Sequence, residues 1–313
     1  MTIPTKTADL PRVTIILATY NGAKYVQQQL DSYVAQQDVD WDLWVSDDGS
    51  SDDTMTILKA FAKENGQNRT IRILAGPGEG PAANFMSVLV HPDLPQDQPA
   101  ALSDQDDVWL PNKLSTALAT LSPTAGPALF SNQSFHTDTN LNVIGHSTPP
   151  IRGPFFENAL VQNIASGHSL VLNTKALAVV RQAGRPDGIP YHDWWLYQLI
   201  SGVGGTIHID TAQLIYYRQH ASNAMGAHDG LRAGLIRFTQ VFGKTYGAWV
   251  DTNLRALSKI SPLLTPANRD IVKRLEATPK GPARLKAFYA ARIRRQNRIT
   301  TALLYLAVAL GRV

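Results

Sequence analysis

Cysteine is absent from the 313 residues. Disulfides, thiolate metal sites and a cysteine nucleophile are therefore excluded, which suits a reducing compartment. Charged residues make up only 17%. Long apolar runs are missing too. Ile299 to Leu310 is nearly all apolar, but its twelve residues cannot cross about 30 Å of hydrocarbon as a helix. At the other end, Val13 to Ala18 is too short for the core of a signal peptide and runs straight into the polar Thr19-Tyr20-Asn21-Gly22, so a cytoplasmic chain is expected. The sequence has no Walker loop, no G-x-G-x-x-G after the first apolar run, no G-x-S-x-G elbow and no H-E-x-x-H. A nucleotide, if bound, is not held by a glycine-rich phosphate loop. Internal repeats and low-complexity segments are also lacking.

A hydrophobic fraction of 44% marks a globular protein, long enough for one large or two modest domains. The net charge of +4 conceals an asymmetry: residues 1–230 carry 13 Lys+Arg against 22 Asp+Glu, and residues 231–313 carry 16 against 3. That split suggests an acidic catalytic body and a basic tail that meets something anionic, a membrane surface or a nucleic acid.

Short β-branched runs alternate with helical spacing. Val13 to Thr19 reads as a buried strand, and Gly22 to Gln37 as a helix with Val26, Leu30, Tyr33 and Val34 on one face. Trp41 to Ser46 is a second strand, after which Asp52 or Asp53 can cap a helix reaching Lys63. Ile71 to Ala75 and Ala100 to Ser103 are further strands, separated by a Gly/Pro loop and a helix from Ala82 to Val90. This order predicts an α/β fold built on a mostly parallel sheet, whose ligands bind at the carboxyl ends of the strands. Beyond about residue 125 the rhythm loosens into a hairpin from Phe130 to Ile144 and short strands at Ser169 to Leu172, Thr206 to Ile209 and Leu214 to Arg218, a pattern expected of a mixed acceptor-binding lobe.

Three polar clusters fall at the strand ends. Asp104 and Asp106, at i and i+2 in SDQDDVW, can converge on a hard divalent cation that bridges a diphosphate; the other reading is a solvated turn. Asp107 is assigned to capping the next helix. Asp47-Asp48-Gly49-Ser50 is either an ordinary turn or the place where a carboxylate accepts the imide N–H of a uracil or thymine. In Tyr191-His192-Asp193-Trp194-Trp195 the tryptophans either form an apolar wall that makes Asp193 a base, or lie in the core of a helix that Asp193 caps. Arg218 and His220 end a strand and are candidates for a phosphate partner and a further metal ligand.

Taken in order, VTIILATYNGAKYVQQQLDS, WVSDDGSSDDT, GPAANFMSVL, LSDQDDVWLPNKL, ASGHSLVLN, YHDWWL and IYYRQHASNAMG resemble glycosyltransferase family 2, inverting enzymes of the GT-A fold, from Val13 to about Gly226. The SDQDDVW form and the pairing of HDWW with YRQH are similar to its rhamnosyltransferase-like branch. The resemblance implies a Rossmann-like nucleotide-binding sheet with a mixed acceptor-binding lobe in residues 1–230, divided near residue 125, followed by a basic helical region in 231–313. It implies that Ala18, Thr19, Tyr20, Asp48, Asp104 and Arg218 bind the nucleotide-sugar, and that Asp104, Asp106 and His220 hold Mn²⁺ or Mg²⁺. Asp193 would be the catalytic base, with Trp194, Trp195 and His192 lining the sugar and acceptor pocket; His192 stands where many members have Glu. The donor expected is dTDP-L-rhamnose, or alternatively a UDP-hexose or UDP-N-acetylhexosamine, and the acceptor a glycan or lipid-linked glycan. A nucleic-acid-binding protein would leave the acidic rim and HDWW unexplained, so no nucleic-acid partner is expected. In the tail, Ala283 to Arg298 reads as a basic amphipathic stretch. Residues 283–313 would therefore either contact the cytosolic face of the inner membrane or pack on the body or a second subunit.

Overall fold

The computed structural model describes residues 10–220 and 244–313. Strands β1 (Arg12–Thr19), β2 (Asp40–Asp47), β3 (Ile71–Ala75) and β4 (Ala100–Ser103) are parallel neighbours in the order β3-β2-β1-β4. Helices α1 (Val26–Val34), α2 (Thr54–Asn65) and α3 (Pro81–Leu89) connect them. On β1, Val13, Ile15 and Leu17 enter one core with Leu30 and Tyr33 of α1 and Leu58 and Phe61 of α2. Ile16 enters the opposite core with Phe85 and Met86 of α3. Both faces are covered, which is why these strands read as continuous apolar runs instead of alternating ones.

The remainder comprises β5 (Val108–Trp109), α4 (Lys113–Leu121), β6 (Ala128–Thr137), β7 (Val143–His146), α5 (Phe156–Ala159), a 3₁₀ turn at Gly167–Ser169, β8 (Val171–Leu172), α6 (Thr174–Ala183), α7 (His192–Gly202) and β9 (Thr206–Arg218). They extend the sheet to nine strands among the described residues, continuing β4-β8-β6-β9-β5 with β7 also on β6. Here the pairing is mixed: β8 is antiparallel to β4 and β6, whereas β6 and β9 run parallel. The predicted parallel half and mixed lobe are both present.

Details differ from the sequence pattern. The two strands expected at 206–209 and 214–218 are one strand, β9, whose register against β6 shifts around Gln133. There the Gln133 amide donates to the Asp210 carbonyl, and the Asp210 carboxylate accepts the Ala212 N–H. Such an irregularity breaks the period-2 signal without ending the strand. Val34, expected on the buried face of α1, is 49% exposed at its last position. The capping carboxylate of α2 is that of Asp52, which accepts the Thr54 N–H at 3.0 Å, while Asp53 makes no side-chain cap bond.

The basic C-terminal part forms α8 (Lys244–Lys259), α9 (Pro266–Ala277), α10 (Pro282–Ala290) and α11 (Arg298–Ala309). The division expected at residue 230 lies outside the described residues. Tyr246, Val250 and Leu257 of α8, Phe288 of α10 and Leu304 of α11 share one core with Trp194, Leu199 and Ile200 of α7. The Tyr246 ring stacks on Trp194 at 6.3 Å, and its hydroxyl donates to the Val161 carbonyl. Asp251 of α8 ties α10 down through Arg284 at 2.8 Å and takes Lys280 at 2.6 Å. The basic stretch expected from Ala283 to Arg298 comprises α10 and the turn after it: α10 ends at Ala290 and Arg292 turns the chain with φ +54° before α11 begins. Among the described residues no helix is long and apolar enough to cross a membrane. Truncating Tyr246 to Ala removes a buried ring and should lower the unfolding free energy by about 3 kcal/mol. Calorimetry should still show one transition, because α8 and α7 share a core; two separated transitions would refute that coupling.

Candidate active site

The carboxyl ends of β1, β2 and β4 are tied together by side chains. Thr19 Oγ1 donates to Asp47 Oδ2 at 2.8 Å, and Asp47 Oδ1 accepts the Gly49 and Ser50 amides. The Thr19 hydroxyl is thus engaged in holding the turn. Asp48 accepts the Gly78 and Gly80 amides at 2.7 and 2.8 Å, which shapes the loop that leads into α3. A Cβ on Gly76 would lie 2.6 Å from Asp48 Oδ1 and 2.7 Å from Asn84 Oδ1, so only glycine lets the loop come this close. Gln105, the middle residue of D-x-D, accepts the Tyr20 N–H at 2.9 Å and donates to the Tyr20 carbonyl at 3.0 Å. Ala18 is half-buried and the Tyr20 ring exposed at this corner. The structural part played by Gln105 had no signal in the sequence beyond its place between two acids.

The metal residues inferred from the sequence separate into two neighbouring groups. Asp106 Oδ2 lies 2.8 Å from His220 Nε2, and the His220 ring stacks on Tyr25. Asp104 instead gathers with Asp107 and His168, their ligand atoms all within 4.8 Å of one another. Burial, followed by the charges of Asp106 and Asp193, pushes the Asp104 carboxyl up to about 8. Asp107 does not cap a helix: α4 begins at Lys113 behind Asn112. It is fully buried, with Oδ1 accepting the Arg218 N–H, and burial together with Asp106 and Asp104 drives its carboxyl far above the ordinary range. Beneath it the buried Lys113 ammonium rests 3.6 Å from the centre of the Trp109 ring, drawn down to about 7 by burial against the pull of Asp107. Lys113 and His168 escaped the sequence reading, although a lone lysine heading the apolar KLSTALATL was a visible signal.

A carboxylate and imidazole set of this kind fits a hard divalent cation. Neighbouring carboxyls whose proton affinity is raised gain from a cation, and burial, then the Lys113 and His136 charges, hold the His168 imidazole neutral, near 3, the form that ligates metals. Arg218 is a correction. Its side chain is 1% exposed, with Nε on the Asp106 carbonyl at 2.9 Å, one terminal nitrogen on the Thr139 carbonyl and the other on Gln28, above the Tyr25 ring. A guanidinium spent in this way braces the Asp106 backbone and is not presented to a phosphate.

Asp193 sits in the first turn of α7. Its Oδ1 accepts the Trp194 N–H at 2.7 Å and its Oδ2 the Gly167 N–H at 3.0 Å. Burial pushes this carboxyl up to about 6, while those amides and Asn163 restrain the rise. The helix N-terminus also favours its charged form. The tryptophans are a second correction: α7 is apolar around most of its circumference and therefore buried. Trp194 is 4% and Trp195 0% exposed, and the Trp194 indole donates to the Ala159 carbonyl, so neither lines an open pocket. His192 is likewise buried, against Phe85 at 4.1 Å, and burial pulls it down to about 3, so it is neutral.

Residues 14–169 match Glycosyl transferase family 2, and the Asp104-x-Asp106 rim lies within that match. The chain belongs to this family. Dividing along its length, this family 2 glycosyltransferase is 27% identical over 250 residues to the dTDP-rhamnosyl transferase RfbG of Shigella flexneri, covering 77% of this chain and 84% of that one. The S. aureus TarS fragment 1–349, solved also with UDP-GlcNAc, superposes with a TM-score of 0.55 at 14% identity over 90% of this chain and 89% of the fragment. The mannosyltransferase PcManGT from Pyrobaculum calidifontis, solved with GDP-Man and Mn²⁺, gives 0.50 at 20% identity over 99% and 89%. These likenesses establish the GT-A fold.

A Cβ at Gly167 would lie 2.8 Å from His192 Nε2 and 3.4 Å from Asp193 Cβ. Gly167→Ala should therefore push His192 aside, carry the adjoining Asp193 with it and cut sugar transfer on the order of 10²-fold with an unchanged far-UV circular dichroism spectrum; transfer at the normal rate would show that the carboxylate position is not critical.

Proposed function

We propose that this enzyme is a metal-dependent inverting transferase that moves L-rhamnose from dTDP-L-rhamnose to a hydroxyl of a cell-surface glycan, free or lipid-linked, in the cytoplasm or at the cytosolic face of the inner membrane. The donor rests on the likeness to the Shigella rhamnosyl transferase. What carries the chemistry is the Asp193 carboxylate, fixed by two backbone amides, with a proton affinity near 6 and close enough to Asp104 for their charges to interact.

In this reading Asp193 takes the proton of the acceptor hydroxyl. The acceptor oxygen bonds to the anomeric carbon as the bond from that carbon to the diphosphate oxygen breaks, so the configuration inverts and a nucleoside diphosphate leaves. One base is enough because the enzyme forms no bond to the sugar. Asp106 and His220, with Asp104 beside them, would hold Mn²⁺ or Mg²⁺, which when bound stabilises the charge on the departing diphosphate. Ala18, Tyr20 and Asp48 frame the nucleobase corner, and Thr19, through Asp47, keeps that corner in shape. Arg218 supports Asp106 from behind. A base near pH 7 with an affinity of about 6 is mostly ionised yet still accepts a proton.

The experiment is nucleoside diphosphate release and product formation across a panel of dTDP-L-rhamnose, UDP-glucose, UDP-galactose and UDP-N-acetylglucosamine with Mn²⁺ or Mg²⁺. Turnover should be specific to dTDP-L-rhamnose and lost in Asp106→Ala; a UDP-sugar as preferred donor would overturn the donor assignment. Asp193→Asn should lower kcat by 10²- to 10⁴-fold. Because Asp193 works in its charged form, wild-type kcat should fall as pH drops through about 6, roughly tenfold per unit below it. A flat profile between pH 5 and pH 8 would exclude Asp193 as the base.

A further inference from the structure

Helix α11 has two apolar faces. Leu304, Ala307 and Val308 are buried against the body. On the other side Ile299 is 73%, Leu306 50% and Leu310 60% exposed, and their separations of seven and four residues place them in one stripe. The stripe continues onto α10, where Tyr289 is 75% exposed, across a shallow groove lined by Leu285, Tyr305, Leu306 and Ala309. A helix apolar on all sides belongs in an interior, yet this one lies at the surface.

Charge identifies what covers it. From Ala277 to Val313 the sequence contains no Asp or Glu and eight Lys or Arg. Lys280 and Arg284 share the single carboxylate of Asp251. Lys286 lines the groove, and Arg292, Arg294, Arg298 and Arg312 are exposed on the same segment. Exposed apolar side chains on a segment that carries cations and no anion complement anionic lipid, in which acyl chains take the stripe and headgroups take the cations. A second copy seated on the same face would set five cations against five. A nucleic acid would use the cations and leave Ile299, Leu306 and Leu310 in water.

We propose that the outer face of α10 and α11 docks in the plane of an anionic membrane, with the Ile299, Leu306 and Leu310 stripe entering the headgroup boundary. The helices lie on the surface and do not span it. This inference goes beyond the transfer reaction and does not rest on the donor.

The test is flotation of the full chain with vesicles of phosphatidylglycerol and phosphatidylcholine in equal parts, and with phosphatidylcholine alone. Wild-type protein should float with the anionic vesicles and at least tenfold less with the neutral ones. An Ile299→Glu, Leu306→Glu double variant, altered only at exposed positions, should lose at least tenfold of that binding while keeping wild-type circular dichroism and soluble donor turnover. Equal recovery of wild type and variant would overturn the proposal. So would a wild-type dimer in gel filtration that becomes monomeric in the double variant with no vesicle binding by either, since the stripe would then be a self-association surface. Tighter binding to RNA than to anionic vesicles would overturn it as well. The readout needs neither donor nor acceptor, so failure here leaves the transferase reading standing.

Discussion

Carboxylates brought together out of water repel one another, and the upper rim of this sheet is organised around that repulsion. Asp104, Asp106 and Asp107 arrive on the loop after β4, and Asp193 on the first turn of α7. The charges of Asp106 and Asp193 make Asp104 harder to ionise, and those of Asp106 and Asp104 do the same to Asp107. The protein answers with groups it can fix in place: the amides of Gly167 and Trp194 on Asp193 and the Arg218 amide on Asp107. These hold the acids in position without cancelling them. The repulsion that remains is what a divalent cation would relieve.

The parallel half of the fold was legible because burial on both faces leaves an unbroken apolar run and because the intervening helices keep their spacing. Legibility failed where the signal depended on direction. Adjacent residues on a helix point about 100° apart, so an acid followed by two tryptophans need not share their surroundings. Asp193 faces the Gly167 amide, while Trp194 and Trp195 turn into the core. Arg218 shows the same difficulty on a strand. A cation at a strand end beside a motif of acids looks like a phosphate ligand in one dimension, whereas its donors are consumed by Asp106, Thr139 and Gln28.

Pairings over long sequence distances could be seen only through the order of motifs. Asp106 and His220 are 114 positions apart, and spacing alone cannot bring them to 2.8 Å. Asp107 was misassigned for the opposite reason. A short, strong local rule, an acid ahead of a helix, outweighed the burial that the fold imposes on it. The tail divides in a similar way: its charge was plain in the sequence, but which face of α11 meets the body required the shared core with α7.

The turn at Gly167–Ser169 has a mechanical consequence. The Gly167 amide holds Asp193, and the very next side chain, His168, stands among Asp104 and Asp107. Two consecutive residues of one turn therefore join the Asp193 side of the rim to the Asp104 and Asp107 side. Any displacement that draws the base toward an acceptor is transmitted to the acids on the donor side, so on the proposed reading the two halves of the reaction cannot drift apart, and variation that re-shapes one must carry the other with it.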